Sequence, residues 1–157
     1  MINQLLMILF AYLVGSISSG IIVSRFFNLP DPRTIGSKNP GATNVMRSGN
    51  KKAAIFTLLG DLLKAIFVLA IAEYLGFEDL IIVCVALAVL IGHIYPIFYK
   101  FRGGKGVATA IGILIALNFK LALIVLSIWL IVFGIWRYSS LAAIVAAISA
   151  PFIGIFI

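Results

Sequence analysis

Charge is what this sequence is shortest of. Only 11% of its 157 residues are Asp, Glu, Lys or Arg, where a soluble domain carries about a quarter. With 63% hydrophobic residues and a mean hydropathy of +1.21, the composition excludes the water-soluble classes and assigns the chain to lipid. Its one cysteine, Cys84, rules out an internal disulfide and sits in an apolar run, as a packing residue does. Its one histidine, His93, leaves no Cys/His cluster for a metal, and no Ser-His-Asp set stands out. No metal and no cofactor are expected. Acids are scarcest of all, 5 against 12 Lys and Arg, for a net charge of +7. In a soluble protein that excess would point to nucleic acid. In a membrane chain, Lys- and Arg-rich cytoplasmic loops account for it, so no nucleic-acid partner is expected.

What is present is long apolar runs. A helix needs ~20 apolar residues to cross ~30 Å of hydrocarbon. Six apolar segments follow, at about Leu5–Phe27, Ala53–Tyr74, Leu80–Phe98, Gly106–Leu117, Leu121–Trp136 and Leu141–Ile157. The expected fold is therefore all-α, a polytopic integral membrane helix bundle forming a single membrane domain over 1–157. "MINQ" has no positive residue, so the first segment is not read as a signal peptide. Gly106–Leu117 is too short to cross unaided, since twelve residues rise only ~18 Å, and is expected to be shielded by protein.

The loops set the orientation. Residues 25–52 hold Arg25, Arg33, Lys38, Arg47, Lys51 and Lys52 against Asp31 alone, and residues 99–105 hold Lys100, Arg102 and Lys105 against no acid. Glu73, Glu78 and Asp79 lie between the second and third segments. The positive-inside rule then puts both basic loops in the cytoplasm and the N-terminus outside.

Both loops carry more than charge. In "FRGGKGVATAIG", residues 101–112, glycines precede an apolar helix. A helix start offers unpaired N–H groups and partial positive charge, which favour an anion. Lys105 adds a point charge and Arg102 a forked donor. The spacing is not that of a nucleotide P-loop, and a flexible basic turn on lipid headgroups fits the segment equally well. The first loop, about 28–52, is too long to be a plain connection. Ser37, Asn39, Thr43 and Asn44 supply hydrogen-bonding groups, Gly36, Gly41 and Gly49 supply turns, and "GATNVMR" suits a short interfacial helix.

Three buried-looking polar residues complete the inventory. Asp61 and Lys64, three apart on the second segment, are read either as an ion pair or as supports of a site. His93, near the third segment's inner end, is read first as a hydrogen-bonded packing residue. "GSISSG" in the first segment, with Gly15/Ser19 and Ser16/Gly20 four apart, is read as a close helix-packing face.

Four stretches resemble the bacterial acyl-phosphate:glycerol-3-phosphate acyltransferase family: "GSISSGIIVSR", "DPRTIGSKNPGATNVMRSGNKKAA", "LLGDLLKA" and "GHIYPIFYKFRGGKGVATAIG". The resemblance implies an enzyme of the bacterial inner membrane. It would pass a fatty acyl group from acyl phosphate to the 1-hydroxyl of glycerol 3-phosphate, making lysophosphatidate and phosphate at the first step of phospholipid synthesis. It implies that Ser37 and Arg47 are essential, and that Gly103, Gly104, Lys105 and Gly106 bind phosphate. Together with the loop chemistry, it makes Ser37, Arg47 and Lys105 the catalytic candidates. Asn39, Gly41, Thr43 and Asn44 are further substrate-phosphate contacts, and Asp61, Lys64 and His93 are possible supports. The H-x-x-x-x-D pattern of other glycerolipid acyltransferases is absent, with Phe98 in the acid's place after His93. A further span and a tail of the form HR-x-N-I-x-R-L-x-x-G-x-E, usual in the family, are not in this chain, so an incomplete copy is expected. The alternatives are a transporter of phosphorylated metabolites and a small lipid-binding scaffold. Uptake into sealed vesicles separates the transporter from the enzyme.

Overall fold

The computed structural model describes residues 1–157, and all its regular elements are helical. Two compact units divide the chain, Met1–Ile113 and Leu114–Ile157. The first holds α1 (Ile2–Gly15), α2 (Ser19–Phe26), α3 (Ala42–Val45), α4 (Lys51–Tyr74), α5 (Asp79–Ile94) and most of α6 (Val107–Leu117).

The first apolar segment, expected as one span, is a broken helix, α1 and α2 meeting at a bend of 42°. The break is written in "GSIS". Ser16 Oγ donates to the Tyr12 carbonyl at 2.9 Å, a back-bond that loosens helices, and Ser18 is extended (φ −90°, ψ 101°) at the N-cap of α2. Backbone groups freed at membrane depth must find partners inside the protein. Here the Gly15 and Ile17 carbonyls accept from Lys64 Nζ at 3.0 and 2.9 Å.

Small residues set the helix contacts, as association within lipid requires. A Cβ on Gly15 would collide with the Val89 carbonyl, and one on Gly92 with the Tyr12 carbonyl. α1 and α5 therefore cross backbone to backbone, as the "GSISSG" reading anticipated for the first segment. The third segment, expected to Phe98, leaves the α-helix at Ile94 because Pro96 lacks an N–H and restricts the residue before it. A 3₁₀ turn, Ile97–Tyr99, follows, and the Ile97 N–H donates to Ser16 Oγ at 3.3 Å. α6 leans on α4, where Thr109 Oγ1 donates to the Asp61 carbonyl at 3.1 Å and Gly112 abuts the Leu62 carbonyl.

In the second unit, α7 (Phe119–Trp136) and α8 (Ser139–Gly154) form a hairpin turned at Arg137, whose φ is +58°. Asn118 caps α7 by accepting from the Leu121 N–H at 3.0 Å. Ala122, Val125 and Val132 pack toward Ala142 and Ala146. α4, the α5 segment through Tyr99, and α7 are each long and apolar enough to cross a membrane, and the bent α1–α2 pair qualifies as a fourth span.

Candidate active site

The first loop is built around one amide. Asn44, on α3, is 1% exposed. Its Nδ2 donates to the Pro32 and Ile35 carbonyls at 2.7 and 3.1 Å, and its Oδ1 accepts from the Ser37 N–H at 2.9 Å. A buried amide so engaged has almost no capacity left for a ligand. Asn44 therefore acts as the scaffold that folds residues 32–37 back over α3. Gly36, with φ +52°, makes the fold-back possible, because a Cβ there would strike Asn44 Oδ1 and crowd the Arg47 side chain. The expected short helix in "GATNVMR" forms as α3 followed by a 3₁₀ turn, Met46–Ser48.

That scaffold presents Ser37, Thr43 and Arg47 exposed, with no hydrogen bond made by their side chains. Asn39 is half-buried against Gly41, and Gly41 caps α3 through its carbonyl, which accepts from the Asn44 and Val45 N–H groups. Asp31 and Arg33, counted in the sequence only as loop charges, form a forked ion pair. Arg33 Nη2 donates to Asp31 Oδ2 at 2.7 Å and Nε to Oδ1 at 3.0 Å, while the Arg33 N–H closes an Asx turn on Oδ1 at 2.9 Å. These hydrogen bonds hold the Asp31 carboxyl below its ordinary pKa against the opposing effect of burial, and they raise that of Arg33. The Asp-Pro-Arg sequence was the signal, since an aspartate two residues before a donor N–H is an Asx-turn pattern.

The glycine-rich loop is pinned to the end of α5. Gly103 N–H donates to the Ile94 carbonyl at 3.1 Å and Gly104 N–H to the His93 carbonyl at 3.0 Å. Those two donors face α5, which narrows the expected N–H cradle. The free donors at the start of α6 include the N–H groups of Lys105 and Gly106, beside the exposed Lys105 ammonium. Gly106, at φ +80°, turns the chain into α6. A Cβ on Gly104 would overlap Nε2 of the His93 ring, so this loop seats directly on the histidine.

His93 leads to a buried polar node. Its Nδ1 lies 2.9 Å from Lys64 Nζ and 3.5 Å from Asp61 Oδ1, and Lys64 Nζ lies 3.1 Å from Asp61 Oδ1. Asp61, Lys64 and His93 are 3%, 9% and 7% exposed. Asp61 and Lys64 form an ion pair, and all three side chains stay within the helix packing. The two basic loops meet at one end of the first unit, where Asp31, Arg33, Thr34 and Lys38 share a cleft with Arg102 and Gly103.

This arrangement has known counterparts. The sequence model of the family described as glycerol-3-phosphate acyltransferase matches residues 5–157. The chain belongs to the glycerol-3-phosphate acyltransferase family. A glycerol-3-phosphate acyltransferase of Burkholderia ambifaria is 54% identical over 153 residues, covering 98% of this chain and 72% of its own length. Another, of Dechloromonas aromatica, is 59% identical over 145 residues, with 92% and 73% covered. The crystal structure of PlsY (YgiH), an integral membrane glycerol 3-phosphate acyltransferase, in its glycerol 3-phosphate form matches with a TM-score of 0.90 at 41% identity. That match covers 98% of this chain and 76% of the solved one. Its lysophosphatidic acid form matches at 0.89 and 39%. The all-helical integral membrane fold expected from the sequence is the fold of this family.

Proposed function

We propose that this chain carries out the acyltransferase reaction of its family, with acyl phosphate as donor and glycerol 3-phosphate as acceptor. The acceptor's 1-hydroxyl oxygen attacks the acyl carbon, the bond from that carbon to the phosphate oxygen breaks, and the hydroxyl proton leaves with phosphate. The products are lysophosphatidate and inorganic phosphate. The observation that carries this reading is the meeting of two cationic loops at one end of the bundle, with Ser37, Arg47 and Lys105 left free of internal partners. Two phosphate-bearing substrates repel each other, and cations with oriented N–H donors offset that repulsion.

In this reading Ser37 and Arg47 bind and orient phosphate, and Lys105 with the free N–H groups before α6 stabilises charge that develops on the leaving phosphate. An acyl phosphate is already activated, so no acyl-enzyme is needed, and a substrate phosphate serves as the base. The loops at about 28–52 and 99–105 face the cytoplasm of a bacterial inner membrane, where both soluble phosphates are available.

The test is phosphate release in lipid, given both substrates, from the chain alone and with a family-type tail appended. Release in either form that requires both substrates, and that falls at least ~100-fold in Arg47→Ala with folding intact, supports the assignment. Silence in both forms, or uptake of glycerol 3-phosphate into sealed vesicles without release, overturns it in favour of transport.

A further inference from the structure

A cleft of about 340 Å³ opens between the first loop and the glycine-rich turn, lined by Asp31, Arg33, Thr34, Lys38, Arg102 and Gly103. Its volume falls at the lower end of ordinary ligand sites, ~300–1,000 Å³. Neither Ser37, Arg47 nor Lys105 lines it.

The charge in this cleft is unbalanced. Three cations face one carboxylate, and that carboxylate is already spent, both of its oxygens accepting from Arg33. Lys38 and Arg102 have no acidic partner. No other acid is in a position to help. Asp61 is committed to Lys64 and His93, and Glu73 stands at the far end of α4, roughly 33 Å from Lys51 at 1.5 Å per residue. Glu78 and Asp79 begin α5 at that same far end.

The cations are also held in place before any ligand arrives. Asp31 grips one edge of the Arg33 guanidinium, and the Tyr99 ring lies 5.7 Å from its carbon. Nη1 is left without a partner. Lys38 sits at φ +58°, a backbone conformation that suits glycine better, in a turn closed by its N–H on the Ile35 carbonyl at 2.9 Å. A fixed fork with a free N–H edge and two unpaired cations is a receptor for a tetrahedral dianion. Phe98 and Phe101, close in sequence to Arg102, are both more than half exposed and offer apolar surface on the same turn.

We propose that Arg33, Lys38 and Arg102 form a further anion subsite, lined by none of Ser37, Arg47 and Lys105, which takes a monosubstituted phosphate bearing an apolar tail. That chemistry has two sources, an acylated phosphate substrate or a bilayer lipid with a phosphomonoester headgroup. The subsite rests on the acyltransferase reading only for the choice between them.

The test uses the full chain in nanodiscs of neutral phosphatidylcholine and measures binding of radiolabelled dodecyl phosphate. Arg102→Gln and Lys38→Gly should each weaken binding about tenfold, the loss of one charge-assisted contact, whereas Lys120→Gln should not. Both side chains are exposed, and Lys38→Gly relaxes its backbone, so the melting temperature should hold or rise. Replacing one fifth of the lipid with phosphatidate decides the source. Displacement of the Arg102-dependent binding identifies a lipid headgroup, and its persistence identifies the acylated substrate. Affinity unchanged in both variants overturns the subsite. Turnover is read separately. Binding that depends on Arg102 without any turnover sinks the acyltransferase reading and leaves the subsite standing. Turnover with an unmoved donor KM and unmoved binding does the reverse.

Discussion

Lys64 Nζ lies 2.9 Å from His93 Nδ1, which joins the middle of α4 to the last turn of α5. The same ammonium holds the Gly15 and Ile17 carbonyls at the α1–α2 break and Asp61 on its own helix. One side chain therefore connects the broken first span, the second span and the helix that seats the glycine-rich loop.

Lys64→Met should be the most damaging single change in the first unit. It leaves the buried Asp61 carboxylate with only His93 beside it and two carbonyls without their donor, and breaking a buried pair from one side costs about 3–5 kcal/mol. The double variant Asp61→Asn/Lys64→Met should be less destabilised than Lys64→Met alone, because the stranded charge is gone. Chemical unfolding of the three proteins checks the order. A double variant no more stable than Lys64→Met alone would contradict it.

Gly104→Ala adds one methyl against the His93 ring. Overpacking of this kind costs roughly 1–3 kcal/mol, and here the strain falls on the loop just ahead of Lys105. The expected outcome is a modest loss of melting temperature with a large loss of turnover. Gly134→Ala, which meets no atom within 4 Å, should change neither.

Asn44→Ala removes three hydrogen bonds from a buried amide and leaves the Ser37 N–H without its acceptor. A loss of about 1–3 kcal/mol is expected. Hydrogen exchange should rise at residues 32–37 while α5 stays protected. Uniform protection in the variant would refute the scaffold role.

The Asp31–Arg33 pair gives a pH dependence whose sign is fixed. The Asp31 carboxyl is held below its ordinary value of 3.8 by Arg33. Its contribution to stability is therefore complete above that value and is lost as pH falls through the folded-state pKa. The melting-temperature gap between the parent and Asp31→Asn should be constant from pH 7 to about 5 and close below about 4. A gap that widens in acid would reverse the assignment.

Much of this was legible in composition and run length. The lipid-dwelling helical fold follows from apolar segments that no water-soluble domain tolerates, and the "GSISSG" contact follows from small residues four apart. What the residues did not disclose was direction. Asn44 reads as a polar contact anywhere in a loop, and only the fold-back of residues 32–37 over α3 shows that its amide faces inward. Gly103 and Gly104 read as an open cradle because sequence cannot say that the carbonyls of α5, freed where Pro96 ends the helix, claim their N–H groups. The break in the first span was visible as serines and glycine but not as a break, since its partner, Lys64, lies 47 residues from Ile17.

The pinning of Gly103 and Gly104 to the last carbonyls of α5 bears on motion. The loop ahead of Lys105 is the terminal cap of α5 and the threshold of α6. It cannot close over a phosphate as an independent flap, because any displacement must drag the final turn of α5 or break two hydrogen bonds.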